Sequence, residues 1–166
     1  MKKNIIISIL FCAATVAGIV LLVAKSAATS DGVVSNSEIA AGSLSAEETY
    51  FDFGTAQMSK GKISHDFKIR NTGTNPAIIK KIYTSCMCTV AILKVGNEQM
   101  GPYGMMGHGA IPTINKMMAA GEEAIITVVF DPNAHGPAGV GLIQRTVTIE
   151  NDGKPIELSF KVIVTP

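Results

Sequence analysis

An all-β sandwich of about seven antiparallel strands, behind one membrane-spanning helix, is predicted from three observations. Most segments after residue 50 alternate apolar and polar side chains with period two. Clusters of Gly, Pro, Asn and Asp separate these segments, as turns require. No stretch of this region carries the 3.6-residue period of an amphipathic helix. Each alternating strand has one apolar stripe, and two facing sheets bury such stripes together. The expected architecture is therefore immunoglobulin-like.

The strands follow in order. Tyr50 to Ala56 opens the domain. Ile63, His65, Phe67 and Ile69 alternate with Ser64, Asp66, Lys68 and Arg70, a strand with one wet face. The cluster 71–76 turns the chain into two extended runs, 77–83 and 88–95. Residues 123–130 are so rich in Ile, Val and Thr that they predict a central strand buried on both faces. In the next strand Ile143, Arg145, Val147 and Ile149 alternate with Gln144, Thr146, Thr148 and Glu150. Asn151-Asp152-Gly153-Lys154 is a hairpin signal, and the return strand puts Ile156, Leu158, Phe160, Val162 and Val164 on one face.

The N-terminal side is of another kind. Ile5 to Ala24 is 20 residues without a charge, about 30 Å as a helix, which is long enough to span a bilayer. Lys2 and Lys3 precede it, so the N-terminus is expected in the cytoplasm and the rest outside. The domains expected are a signal anchor at 1–25, a flexible stalk at 26–45 rich in Ser, Ala and Gly, and the sandwich at 46–166. Cleavage after Ser26 would give a secreted domain instead. Cys12 reads as a membrane-buried thiol. Of 14 basic residues, Lys2, Lys3 and Lys25 precede residue 46, and of 13 acidic ones Asp31 and Glu38 do, which leaves eleven of each sign. A neutral domain with no Trp argues against nucleic-acid binding.

The segments also resemble a bacterial family of immunoglobulin-like domains known as domain of unknown function 1573. Phe51-Asp52-Phe53-Gly54 and the run from Gly61 to Gly73 are similar to the family's opening. Ser85-Cys86-Met87-Cys88-Thr89 is similar to its Ser-Cys-Gly-Cys-Thr motif, with Met87 in place of the Gly. Ala120-Gly121-Glu122 and Phe130-Asp131-Pro132 match its later turn and strand end. The resemblance implies a sandwich that is usually exported and often anchored, and it implies no established activity.

Cys86 and Cys88 are the sharpest chemical feature. Residues two apart on a regular strand are spaced too widely for a disulfide, whereas a turn or bulge brings them closer. Gly96 to Met118 reads as a long loop without strand or helix period. If it folds back, Cys86, Cys88, Met105, Met106 and His108 form a soft-metal pocket, and monovalent copper suits thiolate, thioether and imidazole ligands. His135, in a second loop, approaches from the same end. Without metal, Met100, Tyr103, Met117, Met118 and His135 are candidate contact residues, since Met-rich surfaces adapt to partners. His65 reads as a half-buried, hydrogen-bonded histidine.

No phosphate loop, nucleophile elbow or carboxylate pair is recognisable. The function expected is a membrane-anchored extracytoplasmic module, non-enzymatic, that binds or scaffolds another envelope protein. No cofactor is expected on that reading. The alternative is copper binding through the two cysteines and the Met/His loop, and a third role is thiol–disulfide exchange.

Overall fold

A computed structural model describes residues 43–107 and 109–166. Their strands are β1 (Leu44–Ala46), β2 (Tyr50–Gln57), β3 (Ile63–Asn71), β4 (Ala77–Thr84), β5 (Thr89–Val95), β6 (Glu98–Tyr103), β7 (Lys116–Met118), β8 (Glu123–Phe130), β9 (Gly141–Asn151) and β10 (Ile156–Thr165). They form two five-stranded sheets, ordered β1-β3-β8-β5-β6 and β2-β10-β9-β4-β7. Within the sheets pairing is antiparallel except for β2, which runs parallel to β10 along one edge.

Strand register places the apolar stripes face to face. In the first sheet Phe67 opposes Ile126, which also opposes Leu93, while Ala91 opposes Val128. In the second, Leu158 opposes Val147, and Ile149 is shared by Ile156 and Ile82. All of these side chains are buried. Their removal from water, at about 25 cal/mol per Å², is the main force holding the layers together. Phe160 plugs one end, edge-on to Phe53 at 5.3 Å and to Phe130 at 5.4 Å between ring centroids.

The all-β sandwich predicted from the sequence is present, with three more strands than expected. β1 begins at Leu44, two residues ahead of the predicted domain start, and pairs with β3. β6 and β7 lie inside the 96–118 segment that the sequence assigns to a loop. β6 escapes notice because a bulge at Gly101-Pro102 breaks its period: Leu93 pairs with Met100 but Ala91 with Tyr103. β8 is central as predicted, but only one face is fully buried. Ile125, Thr127 and Val129 on the other face are half-buried, and the Thr127 hydroxyl donates to Asp66 at 2.6 Å. Among the described residues the other sheet covers one face of this one, so the apolar composition of β8 overstates its burial.

Two of the connections that cross between the sheets at one end frame the site. Residues 85–88 carry the chain from β4 to β5, and residues 131–140 carry it from β8 to β9. The predicted anchor at 5–24, Cys12, the stalk up to residue 42, and His108 lie outside the described residues. Among the described residues no helix is long and apolar enough to cross a membrane.

Candidate thiol–imidazole site

Cys86, Met87 and Cys88 occupy a turn, which is the geometry a regular strand would forbid. The Thr89 N–H donates to the Cys86 carbonyl at 3.1 Å and closes the turn. The buried Thr84 hydroxyl lies 3.0 Å from the carbonyls of both Cys86 and Thr89. Ser85 and Thr146 of β9 exchange two bonds: the Ser85 N–H donates to the Thr146 carbonyl at 2.9 Å, and the Thr146 N–H to Ser85 Oγ at 3.0 Å. The Asp131 N–H donates to the Cys88 carbonyl at 2.8 Å and ties the second crossover to the first. Every polar residue of the motif thus has a backbone task, and the two sulfurs are left for each other and their neighbours.

Both cysteines are free and buried. The Cys88 thiol donates to the Cys86 sulfur across 2.9 Å. His135 Nε2 lies 3.1 Å from Cys86 Sγ, and Arg145 Nε donates to Cys88 Sγ at 3.4 Å. The Cys86 and Cys88 sulfurs and a His135 ring nitrogen all lie within 4.8 Å of one another, and His135 is exposed. An Asp131 side-chain turn positions the histidine's loop, with Oδ1 accepting from the Asn133 N–H at 2.9 Å. A short 3-10 turn at Gly136–Gly139 follows it. A side-chain carbon at Gly139 would come within 3.2 Å of His135 Cβ, so a glycine lets the loop close on itself.

The surroundings split the two thiols electrically. Burial pushes the Cys86 thiol up, but hydrogen bonds from the Cys88 thiol and N–H, His135 and Arg145 outweigh it and bring Cys86 down to about 6. Burial pushes Cys88 up, and its role as donor to Cys86 adds to the rise despite Arg145. Burial disfavours the Arg145 cation, yet hydrogen bonds to Cys88 and Cys86 hold its pKa above the usual arginine value.

The residues singled out from the sequence divide among different surroundings. Among the described residues, the side chains hydrogen-bonded at the sulfurs, besides each other, are His135, Arg145 and Thr89. Met105 lines a cleft of about 250 Å³ with Ile82, Met87, Tyr103 and Ile111, and Met106 is half exposed. Met118 is fully buried because β7 sets it opposite Ala77 on the core face, and Tyr103 is buried too. Of the loop's candidate contact residues, Met117 is exposed and Met100 half-buried. His65 stacks on Phe51 with centroids 3.6 Å apart, and its Nε2 meets Glu48 Oε1. Sequence reasoning missed Arg145, although its signal was present. It stands in register with Ile143, Val147 and Ile149, opposite the buried Phe160. A charge on a core-facing position requires a partner, and here the partner is a thiol pair.

Among solved structures, a protein of unknown function from Porphyromonas gingivalis W83 is similar with a TM-score of 0.54 at 17% identity, over 74% of this chain and 47% of that one. A family 123 glycoside hydrolase from Clostridium perfringens follows with a TM-score of 0.50 at 6% identity, over 70% of this chain and 22% of that one. The ASH / PapD-like domain of human CEP192 has a TM-score of 0.44 at 10% identity, over 75% of this chain and 87% of that one. The chain spans less than half the length of the first two, and at these identities the likeness is one of fold. No curated protein matches. Over residues 44–101, a span that takes in the Ser85-Cys86-Met87-Cys88-Thr89 motif, the chain matches the family model described as "Protein of unknown function (DUF1573)", the family its sequence resembles.

Proposed function

We propose that the protein is a non-enzymatic binding module of the cell envelope. On this reading residues 5–24 anchor it once in the membrane, with the N-terminus in the cytoplasm, and the immunoglobulin-like sandwich engages another envelope protein outside. The observation that carries the reading is an apolar cluster on the outer face of the second sheet. Leu142 and Ile163 oppose each other across β9 and β10 and are 64% and 46% exposed, and Val140 just ahead of them is 45% exposed. Scattered apolar side chains are ordinary on a surface, but cross-strand clusters of large ones favour a partner. Antiparallel sheets tolerate one wet face, and here part of that face is left dry in character.

The test is site-specific photo-cross-linking in cells. Probes at 142 and 163 are expected to trap one discrete partner, and a probe at Lys80 none. Leu142→Lys with Ile163→Lys is expected to abolish the cross-link while the thermal melt stays within a few degrees. Equal trapping at all three positions, or labelling of the domain by cytosolic reagents only, overturns the reading. So does turnover in hydrolase or redox screens that disappears with Cys86→Ser and Cys88→Ser.

A further inference from the structure

We propose that Cys86, Cys88 and His135 bind one monovalent copper ion, and that Arg145 selects that charge state by neutralising the loaded site. This goes beyond partner binding and does not depend on it. The ligand set differs from the one the sequence suggested: among the described residues His135 joins the two cysteines, whereas Met105 lines a separate cleft and Met106 is half exposed.

The donors come first. Two thiolates and an imidazole are soft to intermediate ligands, and such a set favours monovalent copper or zinc over magnesium or calcium. The three atoms already lie within 4.8 Å of one another on one rim. The triangle has two short sides, 2.9 Å between the sulfurs and 3.1 Å from Cys86 to His135. A metal about 2.3 Å from sulfur and about 2.0 Å from nitrogen, in a trigonal plane, needs sides of about 4.0 and 3.7 Å. Torsion of the two cysteine side chains supplies the ~1 Å opening between the sulfurs. The ion replaces the thiol proton that now bridges them. That proton leaves to solvent, together with any still held on Cys86.

Burial and access agree with an ion as the occupant. A void of about 100 Å³ lies beside Cys88, lined by Lys62, Met87, Val90, Val129, Asp131 and Ala134, and neither Cys86 nor His135 lines it. The sulfurs are buried and the imidazole is exposed, so an ion reaches the thiols past one movable side chain.

Charge then decides between the metals. Two thiolates, a neutral imidazole and a monovalent ion sum to −1, and Arg145 brings the site to zero. With a divalent ion the ligands already sum to zero, and the same guanidinium leaves an unbalanced positive charge in a half-buried site. Lys62 and Asp131, which line the void beside Cys88, pair at 3.9 Å and cancel. Arg145 is placed on the core-facing stripe of β9, where its Nε donates to Cys88 Sγ at 3.4 Å while a terminal nitrogen donates to the Gln144 carbonyl at 2.7 Å, so the guanidinium is held beside the sulfurs from two sides.

The experiment uses the full chain in detergent with Cys12→Ser as background, titrated anaerobically with monovalent copper against a colorimetric chelator and separately with zinc. One copper per chain, tighter than micromolar, is expected, with copper preferred to zinc. Cys86→Ser with Cys88→Ser is expected to abolish binding, and His135→Ala to weaken it by about tenfold or more. Arg145→Met is expected to lose about 10–100-fold in copper affinity, the usual effect of a changed outer-shell partner, and to gain in zinc affinity. Melting without metal checks that each variant folds. Copper uptake that survives loss of both thiols overturns the site, as does a wild-type preference for zinc. Unchanged metal preference in Arg145→Met overturns the charge selection. A chain two hydrogens lighter that takes up no copper after reduction assigns the pair to a disulfide instead. Loss of copper binding leaves the outer-face cross-link intact, so the two proposals fail separately.

Discussion

Arg145 and the two cysteines show how one residue sets the chemistry of its neighbours. Cys86 is brought down to about 6 while Cys88 is pushed up, so the pair gives up its protons in two well-separated steps. In metal-free protein, thiolate absorbance is expected to appear with a first midpoint near 6 and a second above the ordinary cysteine value of about 8.5. His135→Ala and Arg145→Met each remove a donor and are expected to move the first midpoint upward. The sign of the stability effect follows. The Cys86 contribution is present above the unfolded cysteine value and fades as pH falls toward 6. That of Cys88 is present below the unfolded value and fades as pH rises past its own raised one. Asn71 is the structural counterpart, fully buried at the opposite end. Its Nδ2 donates to the carbonyls of Asn75, Met118 and Ala119, and its Oδ1 accepts from the Gly73 N–H. Asn71→Ala leaves buried carbonyls unmatched and is expected to cost about 1–3 kcal/mol in urea denaturation. At this scale the sequence was half legible. The cysteines, and His135 as a neighbour from the same end, could be read from it. Arg145 hid inside an alternation, and the Met residues attracted attention through composition alone.

Elements were legible wherever period two ran unbroken. β3, β9 and β10 follow their predicted stripes, and the Asn151 hairpin forms as its turn residues dictate, with the Gly153 N–H on Asn151 Oδ1 at 2.6 Å. β6 was not legible, because Gly101 and Pro102 sit in its middle. Gly101 has φ +109°, and a Cβ there would lie 3.0 Å from the Ala91 carbonyl. Gly101→Ala is therefore expected to destabilise by about 1–3 kcal/mol. Gly104→Ala, which meets nothing within 4 Å, serves as control and is expected to change stability by less than about 0.5 kcal/mol. Chemical denaturation of the two variants side by side checks this. β7 was illegible for another reason. Three residues carry no period, and only pairing with β4 makes them a strand.

For the whole molecule, two layers were readable because each stripe needs an opposing one, and the core follows from that. Leu158 is fully buried against Val147, so Leu158→Ala is expected to cost about 2–5 kcal/mol. Leu142, on the same sheet but facing outward, is expected to tolerate alanine within about 0.5 kcal/mol. Unfolding curves for this pair separate core from outer face. The meeting of the thiol turn with the histidine loop was less readable, because it depends on which connections cross between sheets, and a single strand pattern does not encode that order.

Those two crossings have a mechanical consequence. Cys86 and His135 are 49 positions apart along the chain and belong to bridges that run between the layers in opposite directions. An ion held by both would work as a clasp, tying one bridge between the leaves of the sandwich to the other. Occupancy at a thousand times the dissociation constant adds about 4 kcal/mol to the folded state by mass action. Amide hydrogens around Thr84, Thr89 and Thr146 are expected to exchange more slowly once the clasp is shut. Those at Asn71 and Asn151, beyond its reach, are expected to slow only as far as global opening does.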